Sequence, residues 1–146
     1  MSEYQTNENP YDGGFRRRWI PMDTRSAVVT YILIGINVLM FLIINALIRM
    51  TDMDELAVIT LLGAKDNALI STGEYWRLIT PIFLHSGLLH LFFNCYALLI
   101  WGPMVEKLYG RFKFVILYIV AGMVGCLLSY VMSINPSIGA SGSIFG

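Results

Sequence analysis

The sequence predicts an all-α, polytopic membrane protein. Apolar residues make up 56% of its 146 residues and charged residues only 14%, whereas charged residues are about 25% of a soluble domain. Apolar runs at residues 27–48, 86–105 and 112–132 are each long enough to cross a hydrocarbon core of about 30 Å as a helix. Another apolar segment begins at residue 141. We therefore expect three complete membrane spans and the start of a fourth.

A polar amino-terminal tail, residues 1–25, precedes the membrane domain that we expect over residues 26–146. The apolar run after the tail is too long to be the h-region of a cleaved signal peptide. The formal net charge of the chain is zero, so no overall basic field attracts nucleic acid. Nucleic acid is therefore not an expected partner.

Residues 49–84 combine acidic and basic side chains with short apolar pieces. This mixture is typical of a structured, partly embedded loop with short amphipathic helices. Within the loop, Tyr75, Trp76 and Arg77 are consecutive. We interpret them as an interfacial anchor, in which aromatic rings lie at headgroup depth beside a cation that snorkels toward water.

Basic residues beside the spans predict the orientation of the chain. Four arginines lie in the tail, and three basic residues lie within residues 107–113, where we expect a tight turn over residues 106–111. The stretch after the third span has none. The positive-inside rule therefore places the amino terminus and this turn in the cytoplasm. The loop at residues 49–84 and Ser141 then face the outer side, with the cell membrane as the expected location.

Three polar side chains, His85, His90 and Asn94, lie in or beside the second span. Polar and ionisable groups at that depth indicate a functional site by default. His90 and Asn94 are four residues apart, so they project from one face of a helix, and both donate hydrogen bonds. The alternative is structural: they link helices, or Asn94 bonds to backbone elsewhere.

Ser141 lies between small residues, in Gly139-Ala140-Ser141-Gly142. Small neighbours allow the close approach that a nucleophilic hydroxyl needs, although the same pattern also suits a helix start packed tightly against a neighbour. It is not the G-x-S-x-G of soluble hydrolases, because residue 143 is serine. If His90 and Asn94 converge on Ser141, they form an oxyanion hole with its backbone N–H as a third donor.

Four short motifs occur in order along the chain: Trp76-Arg77 in the long loop, His90-x-x-x-Asn94 in the second span, Glu106-x-x-x-Gly110 after it, and Gly139-x-Ser141-Gly142 at the start of the fourth. Together they resemble the rhomboid intramembrane serine proteases, over about residues 27–146. Each motif is weak alone, whereas four in register are specific. The resemblance implies a rhomboid-like helical bundle.

The resemblance also implies residue roles. Ser141 would be the nucleophile of a Ser–His dyad that attacks the scissile carbonyl of a transmembrane protein near the outer face. His90 and Asn94 would stabilise the oxyanion, and Gly139 would allow close approach. His85 would be a supporting polar residue, with a purely structural role left open. The remaining motif residues would support the site: Trp76, Arg77, Glu106 and Gly110.

The family's general base is a histidine on its sixth membrane helix, and neither His85 nor His90 matches it. We therefore expect that these 146 residues are the amino-terminal portion of a longer protein and are inactive by themselves. Two other classes stay open. One is an inactive relative that binds transmembrane helices. The other is a channel or transporter with a histidine-lined path, which predicts intramembrane acids that the sequence lacks.

No cofactor or metal is expected. The sequence has no H-E-x-x-H and no phosphate-binding glycine loop, and we interpret Cys95 and Cys126 as small buried hydrophobes. The expected partners are the lipid bilayer and transmembrane protein substrates. The oligomeric state is left open.

Overall fold

The computed structural model describes residues 27–145, and the predicted tail at residues 1–25 lies outside this range. The described chain is helical, and its β-structure is one isolated bridge between Lys65 and Ser137. The all-α class is therefore confirmed. The helices are α1 (Val28–Met50), α2 (Glu55–Leu61), α3 (Asn67–Ser71), α4 (Leu88–Tyr109), α5 (Arg111–Met132) and α6 (Ser141–Phe145), with two 3₁₀ turns before α4 at Tyr75–Leu78 and Thr80–Phe83.

Three of these helices, α1, α4 and α5, are long and apolar enough to cross a membrane. Many large apolar side chains on them stay exposed, for example Leu42, Phe93 and Leu128. In water such surfaces would aggregate, whereas in a bilayer they contact lipid. The protein is therefore a multi-pass membrane protein.

The turn between α4 and α5 is shorter than the sequence predicted. The prediction of a tight turn over residues 106–111 is wrong, because α4 continues to Tyr109 and α5 begins at Arg111. The turn between the two helices is the single residue Gly110, whose φ of 82° lies in the left-handed region that favours glycine. Glu106 thus belongs to the last turn of α4.

Glu106 joins the end of α4 to the start of α1. Its buried carboxylate accepts hydrogen bonds from the backbone N–H groups of Val29 and Thr30, at 3.0 and 2.9 Å, and from the Thr30 hydroxyl at 2.9 Å. These N–H groups have no partner within α1, because a helix leaves its first four donors free. An acidic side chain at this end also matches the helix dipole.

We expect Glu106→Gln to destabilise the protein by about 1–3 kcal/mol, because the glutamine amide keeps one acceptor oxygen and turns its NH₂ toward a buried donor. The measurement is thermal unfolding in detergent, followed by circular dichroism. Asp52→Asn is the control, since Asp52 is exposed in the loop after α1 and its loss should leave the melting temperature unchanged. Equal melting of the Glu106 variant and the unchanged protein would contradict this role.

Arg77 does not snorkel, so that part of the predicted interfacial anchor is wrong. Its guanidinium is buried in the loop between α1 and α4. Nε donates to Glu74 at 2.7 Å, and Nη1 donates to the carbonyls of Thr60 and Ala64 at 2.6 and 3.1 Å. These fixed acceptors replace water for the planar cation. The ring of Trp76 lies over the same guanidinium, 4.5 Å from Cζ, and is half-exposed.

Two apolar clusters hold the long helices and the loops together. One contains Leu33, Ile82, Leu98, Phe114, Tyr118 and Ala140, and so joins α1, α4 and α5 to the residue before Ser141. The other contains Ile44, Val58, Ile59, Ala64 and Leu84, and so fastens the loop to α1. The loop and the segment before α6 therefore belong to one packed body at the same end of the helices.

Candidate active site

Ser141 is the first residue of α6 and is exposed, whereas Ala140 before it is fully buried. Glycines let α6 pack closely on α5: a Cβ added to Gly125 would lie 3.1 Å from the Cα of Gly142, and one added to Gly122 would collide with the Ser143 hydroxyl. Small residues at such an interface let helix backbones approach. The tightly packed helix start is thus present, and it presents the serine hydroxyl at the surface.

Gly139 brings the segment before α6 against the imidazole of His90. Its φ is 116°, and an added Cβ would lie 2.6 Å from His90 Nε2. Its N–H donates to the carbonyl of Pro81 at 2.8 Å. Glycine is needed here twice, for the left-handed backbone and for the absence of a side chain.

His90 and Asn94 lie on α4, one turn apart, with Asn94 buried and His90 half-buried. One amide hydrogen of Asn94 is engaged within its own helix, because Nδ2 donates to the His90 carbonyl at 2.9 Å. Because both residues belong to α4, this bond neither links two helices nor serves backbone elsewhere, which are the two forms of the structural alternative. The Asn94 amide has a second hydrogen that this bond leaves available. The helix that carries it, α4, also packs against α6.

His85 is fully buried just before α4, and its ring meets that of His90 edge-on, with 5.2 Å between the ring centroids. Burial, together with the nearby His90, lowers the pKa of His85 to about 4. His85 is therefore neutral at pH 7. Among the described residues, neither of its ring nitrogens has a hydrogen-bond partner.

A cavity of about 240 Å³ opens beside Ser141. Its wall combines the loop before α4, one face of α5 and the segment leading into α6; the lining includes Ile82, Gly125, Ser129, Ser137 and Gly139. His90 is not part of this wall. Ser141 thus borders a cavity on the α5 side, while His90 of α4 lies beside Gly139.

The other predicted site residues lie away from Ser141. Glu106 and Gly110 are at the opposite end of α4 from His90, and they join α1, α4 and α5. Arg77 and Trp76 lie in the loop between α1 and α4, where Arg77 binds backbone carbonyls and the Trp76 ring covers its guanidinium. Sequence reasoning missed Pro81, whose carbonyl holds Gly139, and Lys65, which is fully buried. The sequence does contain a signal that could have identified Lys65, because this cation directly follows the apolar run at residues 56–64.

Nothing in the described part of the chain gathers three potential metal ligands among His, Cys, Asp and Glu. Both cysteines are free thiols. Cys126 is buried, and its Sγ donates to the carbonyl of Arg77 at 3.4 Å. Cys95 is only partly buried, so the prediction of a buried cysteine holds for Cys126 and not for Cys95.

The fold and this arrangement define a multi-pass helical membrane protein with a surface serine at the start of a short helix. Residues 72–146 match the model of the Rhomboid domain. The chain therefore belongs to the rhomboid family.

Curated relatives agree with this assignment. The chain is 45% identical over 117 residues to "Rhomboid protease GluP" of Bacillus subtilis. The aligned region covers 80% of this chain and 22% of that protein. The chain is 41% identical over 124 residues to "RHOMBOID-like protein 9, chloroplastic" of Arabidopsis thaliana, covering 84% and 29% respectively. It is 33% identical over 162 residues to "Rhomboid protease AarA" of Providencia stuartii, covering 100% and 55%. No solved structure matches the chain significantly. The chain thus spans between about a fifth and a half of the length of these relatives.

Proposed function

We propose that these residues form part of an intramembrane serine endopeptidase that cleaves transmembrane proteins. Family membership supports a protease, since relatives at 45% and 33% identity are named rhomboid proteases. The observation that carries the proposal is the close approach of Gly139 to His90 Nε2, because it brings one predicted oxyanion donor of α4 beside the segment that leads into α6.

In the proposed reaction, the Ser141 hydroxyl attacks the scissile carbonyl and forms a tetrahedral intermediate. The new oxyanion accepts hydrogen bonds from the His90 ring, the free amide hydrogen of Asn94 and the Ser141 backbone N–H. His85 packs against His90 and limits its movement. In the proposal these donors are in place before the substrate arrives, so that they stabilise charge without reorganising.

The general base of the proposed dyad is a histidine outside these 146 residues, because neither His85 nor His90 matches the family's base. A serine hydroxyl is a weak nucleophile without such a base. The 146-residue chain by itself is therefore expected to be inactive, and detectable proteolysis by it would contradict the proposed dyad.

The proposed orientation has the amino terminus in the cytoplasm and Ser141 on the outer side of the cell membrane. The loop after α1 is bonded through Lys65 to Ser137, so this loop and the start of α6 lie at the same end of the bundle. The cluster of Lys107, Arg111 and Lys113 lies at the other end. This separation supports the positive-inside assignment.

The proposal is tested by His90→Ala and Asn94→Ala in the complete protein. We expect each to lower kcat for a transmembrane substrate by about 100- to 1000-fold, because each removes an oxyanion donor. KM should change much less. Phe93→Ala is the control, since Phe93 adjoins Asn94 and its side chain is exposed on the outer surface of α4.

Equal effects of these substitutions on kcat and KM, or losses explained by lower melting temperatures, would favour the structural alternative for His90 and Asn94. A complete protein that binds transmembrane helices but neither cleaves them nor reacts with a fluorophosphonate would be the inactive relative.

A further inference from the structure

Lys65, between α2 and α3, is a fully buried cation outside the proposed catalytic machinery. Its Nζ donates to the carbonyl of Ser133 at 2.6 Å and to that of Asn135 at 2.8 Å. Ser133 caps the carboxyl end of α5. The ammonium therefore lies where a helix leaves its last carbonyls free and where its dipole favours positive charge.

The segment after α5, residues 133–140, is the connector to α6. The backbone of Lys65 also pairs with the connector. The Lys65 N–H donates to the Ser137 carbonyl at 3.1 Å, and the Ser137 N–H donates to the Lys65 carbonyl at 3.3 Å. Asn67 Nδ2 adds bonds to the carbonyls of Tyr130 and Ser133, at 2.9 and 3.3 Å. Both the end of α5 and the first half of the connector are thus fixed to one short stretch of the loop.

The second half of the connector carries the site. Gly139 lies two residues after Ser137, donates to the Pro81 carbonyl and contacts His90, and Ser141 follows two residues later. Because each residue spans at most about 3.6 Å, the position of Ser137 restricts where Gly139 can lie two residues later. A shift at Ser137 is therefore expected to move Gly139. A misplacement of about 1 Å at a reacting group costs about 100-fold in rate.

We propose that Lys65 is a positioning residue for Ser141, which it holds in register with His90 by binding the end of α5 and the connector. This inference rests on the proposed function. A side chain that only filled space would not need a charge, because well-packed apolar residues of similar volume often replace buried ionic groups without loss of stability. Burial lowers the pKa of Lys65, while the nearby Asp66 and Cys126 oppose that shift.

The test uses the complete protein in detergent, with Lys65→Met, which keeps the length of the side chain and removes its donors. Backbone hydrogen exchange at Ser137 and Gly139 should be about 10-fold faster or more in this variant, whereas exchange within α5, for example at Tyr118, should be unchanged. For a transmembrane substrate, kcat should fall by about 10- to 100-fold, with KM within about 2-fold.

Two further variants make this comparison specific. Lys113→Met is the matched control, because Lys113 is exposed near the start of α5 and its replacement should change neither exchange nor kcat. Asn67→Ala removes only the bonds to Tyr130 and Ser133, and it should change exchange and kcat in the same direction by less. If Lys65→Met does not fold, Asn67→Ala carries the test.

Unchanged exchange at Ser137 and Gly139 in the variants would overturn the inference, whatever happens to activity. Faster exchange throughout α5 would also overturn it, since Lys65 would then support general stability. If the unchanged protein neither cleaves a transmembrane substrate nor reacts with a fluorophosphonate, the proposed function fails. The exchange comparison still decides in that case whether Lys65 holds the connector.

Discussion

Ser141→Ala in the complete protein is expected to abolish cleavage of a transmembrane substrate while leaving membrane insertion and melting temperature unchanged. The hydroxyl is the proposed nucleophile, and loss of a catalytic serine lowers kcat by about a million-fold in a comparable hydrolase. Stability should not change, because the side chain of Ser141 is exposed. The measurements are a cleavage assay in liposomes and labelling by a fluorophosphonate.

Ser143→Ala is the matched control for this prediction. Ser143 lies in the same short helix, but its hydroxyl is buried without a hydrogen-bond partner among the described residues. Removing that hydroxyl should leave cleavage and labelling intact, and it should not lower the melting temperature, since an unpaired buried polar group costs free energy. Cleavage retained by the Ser141 variant would remove Ser141 from the mechanism.

Gly139→Ala should lower kcat by about 100-fold or more. The new Cβ would lie 2.6 Å from His90 Nε2, so either the ring or the connector must move. A displacement of about 1 Å between reacting groups is enough for such a loss. The left-handed backbone of Gly139, with φ of 116°, adds strain of about 1–3 kcal/mol. Kinetics and thermal unfolding measure the two effects separately.

Gly73→Ala separates backbone strain from the collision. Gly73 has a similar φ of 111°, but nothing lies within 4 Å of an added Cβ. Its alanine variant should lose stability and keep kcat. In addition, Gly139→Ala should cost much less in a His90→Ala background, because the two residues are in contact and their effects are then not additive. Additive losses, or a Gly73 variant equally impaired in kcat, would contradict the contact as the cause.

The membrane class and the main helices could be predicted from sequence because hydropathy is a local property. Each apolar run at residues 27–48, 86–105 and 112–132 corresponds to a helix that extends at most a few residues beyond it, and α6 begins at Ser141. In a bilayer, a helix of sufficient apolar length satisfies its own backbone, so the assignment needs no knowledge of its neighbours.

Part of the candidate site was also visible in the sequence. His90 and Asn94 share a face of α4 because they are four residues apart. The small residues around Ser141 predicted close packing, and the structure has it at Gly139 and Gly142. What spacing could not predict was the partner of each group, such as the carbonyl of His90 that binds the Asn94 amide.

Tertiary structure decided the roles of the charged residues. Arg77 was expected at the membrane surface and Glu106 in a turn, yet Arg77 is buried among loop carbonyls, and Glu106 binds N–H groups 76 and 77 positions away in the chain. Lys65 likewise binds carbonyls 68 and 70 positions away. A charge is buried only where fixed dipoles replace its water. Because those dipoles come from distant segments, hydropathy along the chain determined where the helices lie, and only their packing determined what each buried charge holds.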